Sequence, residues 1–222
     1  MSRESLHNGA TTGNTYTDLG ATTKEAYEIS ARSRTLARET IGNEGYEDRV
    51  RQRCSIAVGD FAMADLIRFD SDPVVAGLRA LSDGAPIITD IRMVQVGIQK
   101  KGHHSAIICA LDFDQGAAEQ GITRTSRGFI NLGPRINGAI VVIGNAPSSL
   151  ITVCHGIRGG FHPALVVGTP VGFVNAKESK ELLREIAVPS ISTEGTRGGT
   201  PVAVAAINEI ITIHAELADV RP

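Results

Sequence analysis

The stretch AIVVIGNAPSSLITVCHGIRGGFHPALVVGTP, residues 139–170, decides the fold of this chain. It contains two short apolar runs, at 139–143 and 164–167, separated by a segment of helical character. Continuous apolar runs of this length are typical of strands that are buried on both faces, as they are in parallel sheets. Two such strands joined by a helix form a right-handed βαβ unit. The stretch therefore predicts a parallel sheet covered by helices.

The same alternation continues on both sides of this stretch. Further short apolar runs lie at 85–89, 105–111 and 188–192. Helical segments are predicted at 23–40, 46–69, 72–81, 91–98, 116–135, 147–157, 177–186 and 201–217. The pattern predicts an α/β fold: a three-layer αβα domain with a mainly parallel sheet of about five strands. We expect a single domain over residues 23–222, preceded by a flexible or extended arm at residues 1–22, which is rich in Gly, Thr, Ser and Asn.

Composition excludes several classes of protein. The formal net charge of -2 gives no reason to expect a nucleic-acid partner or binding to an acidic membrane surface. The polar N-terminus lacks the apolar segment of a signal peptide, and no apolar run approaches the length of a membrane span. Three widely spaced cysteines and the absence of HxH or HxxxH pairs favour reduced thiols and no metal site. A cytoplasmic protein is therefore expected.

Three glycine-rich turns follow predicted strands, at 144–147, 168–173 and 195–201. Open parallel sheets bind ligands beyond the carboxyl ends of their strands, where helix N-termini favour anions. The simpler interpretation is that these glycines only let the chain turn sharply. Three such turns on one rim, one of them carrying Arg197, favour a ligand with several negative groups. Arg124 lies among small residues at 121–126, which would let a ligand approach it.

The sequence motifs of several common ligand-binding and catalytic sites are absent. No GxGxxG or GxxxxGK[ST] sequence is present, so dinucleotides and nucleoside triphosphates are disfavoured. No GxSxG sequence is present, so a hydrolase built on a nucleophile elbow is unsupported.

Several segments together resemble one enzyme family. They are GAPIITD at 84–90, MVQVGI at 93–98, GITRTS at 121–126, VVIGNAP at 141–147, ALVVGTPVGFVNAKESKELL at 164–183 and VPSISTEGTRGG at 188–199. In this order and spacing they resemble the precorrin-8X methylmutases, also called precorrin isomerases or cobalt-precorrin-8 methylmutases. The resemblance runs from about residue 23 to residue 212.

The resemblance implies a homodimeric αβα enzyme of cobalamin biosynthesis that needs no cofactor. It implies that a methyl group moves from C-11 to C-12 of precorrin-8X or cobalt-precorrin-8, which gives hydrogenobyrinate or its cobalt form. The acetate and propionate side chains of this substrate agree with a rim suited to several carboxylates.

The resemblance also implies site residues. It assigns substrate contacts to Ser30, Arg53 and Arg124. Further positions lie in family blocks that border the ring, namely Gly144, Asn145, Gly172, Lys180 and Arg197.

One departure from the family pattern affects the mechanism. The resemblance implies a proton-transferring histidine three residues after Arg53, where this chain has Ile56, and Gly59-Asp60-Phe61 fixes that alignment. Three nearby residues could take over proton transfer from the missing histidine, namely Cys54, Ser55 and Asp60. Three interpretations stay open: an active methylmutase, a catalytically silent corrinoid-binding paralog, and an isomerase of a different tetrapyrrole.

Overall fold

The computed structural model describes residues 23–115 and 121–219, so the predicted arm at 1–22 lies outside the described residues. The described helices are α1 (Lys24–Ile41), α2 (Tyr46–Val58), α3 (Pro73–Ser82), α4 (Arg92–Gly97), α5 (Arg124–Leu132), α6 (Pro147–Arg158), α7 (Ala176–Arg184) and α8 (Thr200–Asp219). The strands are β1 (Ile67–Asp70), β2 (Ile87–Thr89), β3 (Ile107–Cys109), β4 (Ile140–Ile143), β5 (Leu165–Gly168) and β6 (Ser190–Thr193). Short 3₁₀ helices span Phe61–Leu66, Ala110–Phe113 and Gly133–Ile136.

The strands form one sheet in the order β1-β6-β5-β4-β2-β3. Strands β2 to β6 are parallel to one another and overlap the five predicted apolar runs. Strand β1 pairs with β6 in the antiparallel direction, with Ile67 opposite Thr193. The predicted αβα arrangement with a mainly parallel sheet is therefore confirmed, with one more strand than expected.

The additional strand shows that the predicted helix at 46–69 was too long. Helix α2 ends at Val58 because Gly59 adopts a left-handed conformation, with φ 66°, and its N–H bonds back to the last turn. The side chain of Asp60 then accepts a hydrogen bond from the N–H of Ala62 and starts a 3₁₀ helix. The residues that follow leave the helix and extend the edge of the sheet as β1.

The predicted helix at 116–135 was also too long. Helix α5 begins at Arg124, where the hydroxyl of Thr123 accepts a hydrogen bond from the N–H of Ser126. It ends at Leu132, and Gly133, with φ 49°, follows it. Residues 116–120 lie outside the described residues.

The core has one apolar cluster on each face of the sheet. Along β4, Ile140 and Val142 contribute to one cluster, and Val141 and Ile143 contribute to the other. Helices α2, α3, α4 and α8 cover the first face, with α1 packed on α2, whereas α5, α6 and α7 cover the second. A fully buried aliphatic side chain contributes about 1.5–3 kcal/mol, so the sheet-centred clusters account for most of the stabilisation.

Helix α8 lies at the centre of the first layer. It is 20 residues long, and an 18-residue stretch of it is apolar enough to cross a membrane by length and composition alone. In the structure, 61% of this segment is buried within the protein, which is what the core helix of a globular domain shows. It packs along α2, with the thiol of Cys54 directed at the carbonyl of Val202.

Candidate active site

The strand order places a crevice between β2 and β4. The chain leaves β2 towards β3 on one side and leaves β4 towards β5 on the other, so the order reverses between these two neighbours. Ligands of open α/β sheets bind at such switch points. Asp90 follows β2 and the turn at 144–146 follows β4, so these residues form the floor of the crevice.

The carboxylate of Asp90 occupies this floor. The residue is fully buried, and its Oδ2 accepts hydrogen bonds from the N–H groups of Asn145 at 2.8 Å and Ala146 at 3.2 Å. Its Oδ1 accepts from the N–H of Ile91 at 2.9 Å. Burial raises the pKa of the Asp90 carboxyl, although these donors favour its charged form. The N–H groups that precede α6 are therefore engaged internally and do not form the anion site that the sequence suggested for this turn.

Sequence reasoning did not single out Asp90. The available signal was an acidic residue placed directly after an apolar run, at the end of GAPIITD. Neighbouring Gly144 is also constrained, since a Cβ there would lie 2.9 Å from the Cα of Thr200 and 3.0 Å from side chains of Val94 and Ala203. The side chain of Asn145, in contrast, is exposed at the rim.

The other two glycine-rich turns interlock with each other. The N–H of Gly172 donates to the carbonyl of Thr196 at 3.1 Å, and the N–H of Gly199 donates to the carbonyl of Thr169 at 2.7 Å. A Cβ on Gly198 would lie only 2.4 Å from the Thr169 oxygen. Close approach of two backbones, and not anion binding alone, therefore explains why glycine is needed here.

Lys180 supports these turns from below. The residue is fully buried on α7, and its Nζ donates to the hydroxyl of Thr193 at 3.0 Å and to the carbonyl of Arg197 at 2.8 Å. Burial, and to a smaller extent the charge of Arg184, lower the pKa of Lys180 to about 8. The amine therefore anchors the turn at 193–197 and is not itself displayed on the rim.

An ion pair between Arg197 and Asp60 joins the end of α2 to the rim. The Arg197 side chain is about half exposed, so the guanidinium also faces solvent beside the turns. The hydrogen bond from Arg197 and the N–H of Ala62 lower the pKa of the Asp60 carboxyl. Asp60 is therefore a carboxylate at neutral pH, which can accept a proton but has none to donate.

Arg124 lies on the second layer, at the start of α5. Its Nε donates to Asp114 Oδ2 at 2.6 Å, and its side chain is 74% exposed. Arg127 shares the same carboxylate, and the hydrogen bond from Arg124 leads the causes that lower the pKa of Asp114. The hydroxyl of Thr123 lies 3.0 Å from that of Ser148 in the first turn of α6, which brings the start of α5 close to the turn after β4.

The remaining predicted contacts lie on the first layer. Ser30 is half-buried on α1, and Arg53 is half-buried on α2 with its Nη1 bound to α8. Ile56 is half-buried one turn beyond Arg53, between that residue and Asp60. In the described part of the chain, no hydrogen bond or ion pair joins these α1 and α2 side chains to Arg124.

The three residues suggested as substitutes for the histidine differ in their exposure to solvent. Cys54 is fully buried, and burial followed by the nearby charge of Glu209 raises the pKa of its thiol strongly. Ser55 is 1% exposed, and its hydroxyl has no hydrogen-bond partner among the described residues. Of the three, Asp60 has the side chain that reaches solvent at the rim.

Apolar side chains are exposed around the rim formed by the turns that follow β4, β5 and β6. Phe173 is 94% exposed and Val174 is 76% exposed in the turn after β5, and Met93 is 63% exposed in the first turn of α4. Phe61, directly after Asp60, is also exposed. The rim therefore combines apolar side chains with the guanidinium groups of Arg124 and Arg197. Among residues 23–115 and 121–219, no group of three or more His, Cys, Asp or Glu side chains is arranged to hold a metal ion.

Comparison with known proteins identifies relatives of this arrangement. The family model described as precorrin-8X methylmutase matches residues 28–213. The chain is 40% identical over 204 residues to the cobalt-precorrin-8 methylmutase of Methanocaldococcus jannaschii, covering 87% of this chain and 96% of that protein. It is 40% identical over 201 residues to the cobalamin biosynthesis protein CbiHC of Archaeoglobus fulgidus, covering 90% of this chain but 42% of that longer protein.

A solved structure agrees with these matches. The precorrin-8X methyl mutase of Thermus thermophilus superimposes with a TM-score of 0.77 at 34% identity, covering 86% of this chain and 97% of that one. The mixed, mostly parallel sheet and its flanking helices are therefore shared with this relative.

Proposed function

The chain belongs to the precorrin-8X methylmutase family, and we propose that it moves the C-11 methyl group of precorrin-8X, or of its cobalt form, to C-12. The product is hydrogenobyrinate or its cobalt counterpart. The reaction is an intramolecular rearrangement, so the ring loses and gains no atoms. The observation that supports it most directly is the amphipathic rim, where the exposed side chains of Met93 and Phe173 accompany those of Arg124 and Arg197.

This rim suits a large ring that carries carboxylates. Exposed apolar side chains can cover the face of a macrocycle, and guanidinium groups can bind peripheral acetate and propionate groups by paired hydrogen bonds. Arg124 and Arg197 each already contact one carboxylate, from Asp114 and Asp60 respectively. Both are exposed enough to bind a second carboxylate through their remaining N–H groups.

We infer that Ile56 takes the place of the family histidine, so that this chain is a divergent member. An isoleucine cannot transfer a proton, and positioning of the ring then carries most of the catalysis. General acid–base assistance contributes about 10²–10⁴-fold in typical enzymes, so its loss slows the reaction without abolishing it. Asp60, held ionised by Arg197, is the nearby group that can accept a proton.

A homodimer is part of this proposal. The resemblance to the family suggests it, and the exposed side chains of Phe173 and Val174 support it, since large apolar groups on a rim are commonly covered by a partner or a ligand. A cytoplasmic location is proposed as well. Three buried cysteines without disulfides, Cys54, Cys109 and Cys154, are what a reducing compartment favours.

A second function is favoured by Ile56 alone. A protein that binds corrinoids without turning them over needs the rim but no proton-transferring residue. An isomerase of a different tetrapyrrole would use the same rim with different contacts. Both alternatives predict ligand binding in the absence of the methyl shift.

Incubation with precorrin-8X, and separately with cobalt-precorrin-8, distinguishes these functions. The proposal expects the visible absorption of the product to develop with catalytic amounts of protein. Arg158→Gln, a change on an exposed ion pair of α6 with Glu185, provides a control that leaves the rim intact. Binding of hydrogenobyrinate without any product formation from either substrate would favour the corrinoid-binding paralog and refute the enzyme.

A further inference from the structure

A cluster of five charged side chains, centred on the buried Glu209, joins α1 and α2 to α8. Glu209 is fully buried, and its carboxylate accepts hydrogen bonds from Arg34 Nη2 at 2.7 Å, Arg49 Nε at 2.9 Å and Arg53 Nη1 at 3.1 Å. Arg49 also binds both oxygens of Glu216, at 2.6 and 3.1 Å. The cluster therefore brings three arginines onto one buried carboxylate, with Glu216 as a second partner of Arg49.

Arg53 uses one nitrogen for all of its contacts. Nη1 donates to Glu209 Oε2, to the hydroxyl of Thr212 at 2.9 Å and to the carbonyl of Asn208 at 3.3 Å. Within residues 23–115 and 121–219, neither Nε nor Nη2 has an acceptor. These two nitrogens lie side by side on the guanidinium, which is the edge that binds a carboxylate through two parallel hydrogen bonds.

The Arg53 side chain keeps contact with solvent although Glu209 behind it is buried. The side chain of Arg53 is 22% exposed, compared with 21% for Arg49, whose nitrogens bind Glu209 and Glu216, 6% for Arg34 and 0% for Glu209. Burial alone would raise the pKa of Glu209, but the charges of the three arginines together outweigh it and hold the pKa below its ordinary value. Glu209 is therefore a fixed negative charge that holds Nη1 of Arg53.

We propose that Glu209 is a positioning residue, which holds Nη1 of Arg53 so that the Nε and Nη2 edge faces one carboxylate of the tetrapyrrole. This inference rests on the proposed function, because that function supplies the carboxylate. Thr212 assists as a neutral second acceptor for Nη1, and it is itself fixed by its hydrogen bond to the carbonyl of Asn208 at 2.9 Å.

Binding of hydrogenobyrinate, measured by titration calorimetry, tests the inference. Glu209→Gln should weaken binding about tenfold to a hundredfold, because Arg53 loses the charge that orients it. Glu216→Gln is the matched control: it removes a carboxylate that contacts Arg49 and not Arg53, and it should leave the affinity within about twofold of wild type. Thr212→Val, which removes a neutral hydroxyl and no charge, should weaken binding by a smaller factor and covers the case in which Glu209→Gln does not fold.

A double-mutant cycle separates positioning from general stability. If Glu209 acts through Arg53, then adding Glu209→Gln or Thr212→Val to Arg53→Met should cause no further loss of affinity. A loss of the same size in the Arg53→Met background would overturn the inference, as would wild-type affinity in both Glu209→Gln and Thr212→Val. Failure of the wild-type protein to bind hydrogenobyrinate would overturn the proposed function and this inference together, whereas normal wild-type binding with unaffected variants would overturn the inference alone.

Discussion

Asp90 and Asn145 are joined across the switch point of the sheet by a hydrogen bond of 2.8 Å from the backbone N–H of Asn145 to the Asp90 carboxylate. The same oxygen accepts from Ala146, so one buried side chain after β2 fixes the turn after β4. The position of the exposed Asn145 side chain, and of the start of α6, therefore depends on a residue that is itself fully buried.

Replacing Asp90 with Asn tests this dependence. The amide keeps one acceptor oxygen and brings an NH₂ group towards N–H groups that need acceptors, so we expect a loss of about 1–3 kcal/mol in the free energy of unfolding. Urea denaturation measures it. Asp83→Asn, at an exposed residue after α3, should change stability by less than about 0.5 kcal/mol. Equal stability of the two variants would show that the Asp90 carboxylate does not hold the turn.

The interlocked turns depend on the missing side chain of Gly198. Gly198→Ala would place a Cβ 2.4 Å from the Thr169 oxygen, and we expect a loss of about 2 kcal/mol or more together with weaker binding of hydrogenobyrinate. Gly195→Ala is the matched control in the same loop: its φ is 65°, but nothing lies within 4 Å of the new Cβ. That change should cost only the conformational penalty of about 1–2 kcal/mol and leave binding intact. Similar ligand affinity in both variants would contradict the interlock.

The buried amine of Lys180 predicts a pH dependence of stability. The pKa of Lys180 is about 8 in the folded protein, against an ordinary value of 10.5. Between pH 8 and pH 10.5 the amine is therefore largely neutral in the folded protein and protonated in the unfolded chain, so the unfolded chain binds more protons. The free energy of unfolding contributed by Lys180 should therefore rise as the pH increases from about 8 to about 10.5, by about 1–3 kcal/mol. The difference between wild type and Lys180→Met isolates this rise, and Lys177→Met, at an exposed residue of the same helix, should not alter it. A wild-type curve parallel to that of Lys180→Met would refute the assignment.

Ile56→His restores an acid–base group where we infer that the family carries one. If proton transfer limits the reaction, the rate should rise, by at most about 10²–10⁴-fold, and the gain should vary with pH around the ordinary imidazole pKa of about 6.5. Arg53, one turn earlier, lowers that pKa and the carboxylates of the substrate raise it, so the midpoint reports their balance. Ile56→Gln separates titration from polarity, since glutamine carries no titratable proton. Unchanged rates in both variants across pH 5–9 would show that position 56 has no part in proton transfer.

The sequence predicted the parallel part of the sheet because its strands are buried on both faces and read as continuous apolar runs. Strand β1 was missed because it is a short edge strand, Ile67–Asp70, and its membership of the sheet depends on antiparallel pairing with β6, more than 100 residues away along the chain. The end of α2 was missed for a related reason. Gly59 fixes it through a left-handed backbone conformation that spacing alone does not reveal.

The candidate site was predicted only in part, since a sequence indicates which residues carry charge but not where their hydrogen bonds go. The glycine-rich turns and Arg197 do lie together on one rim. Asp90 binds the N–H of Asn145, which lies 55 positions further along the chain. Glu209 binds Nη1 of Arg53 across a separation of 156 positions. Neither Asp90 nor Glu209 belongs to a sequence motif from whose spacing its hydrogen-bond partner could be predicted.

The fate of a single methyl group tests the central claim most directly. Precorrin-8X labelled with ¹³C in its C-11 methyl group, incubated with substoichiometric wild-type protein and followed by ¹³C NMR, should lose the resonance of a methyl on C-11 and gain that of a methyl on C-12. The label should move with multiple turnovers and without added cofactor. If the label stays on C-11 in both the cobalt-free and the cobalt-containing substrate while hydrogenobyrinate binds tightly, the chain is a corrinoid-binding protein and not a methylmutase.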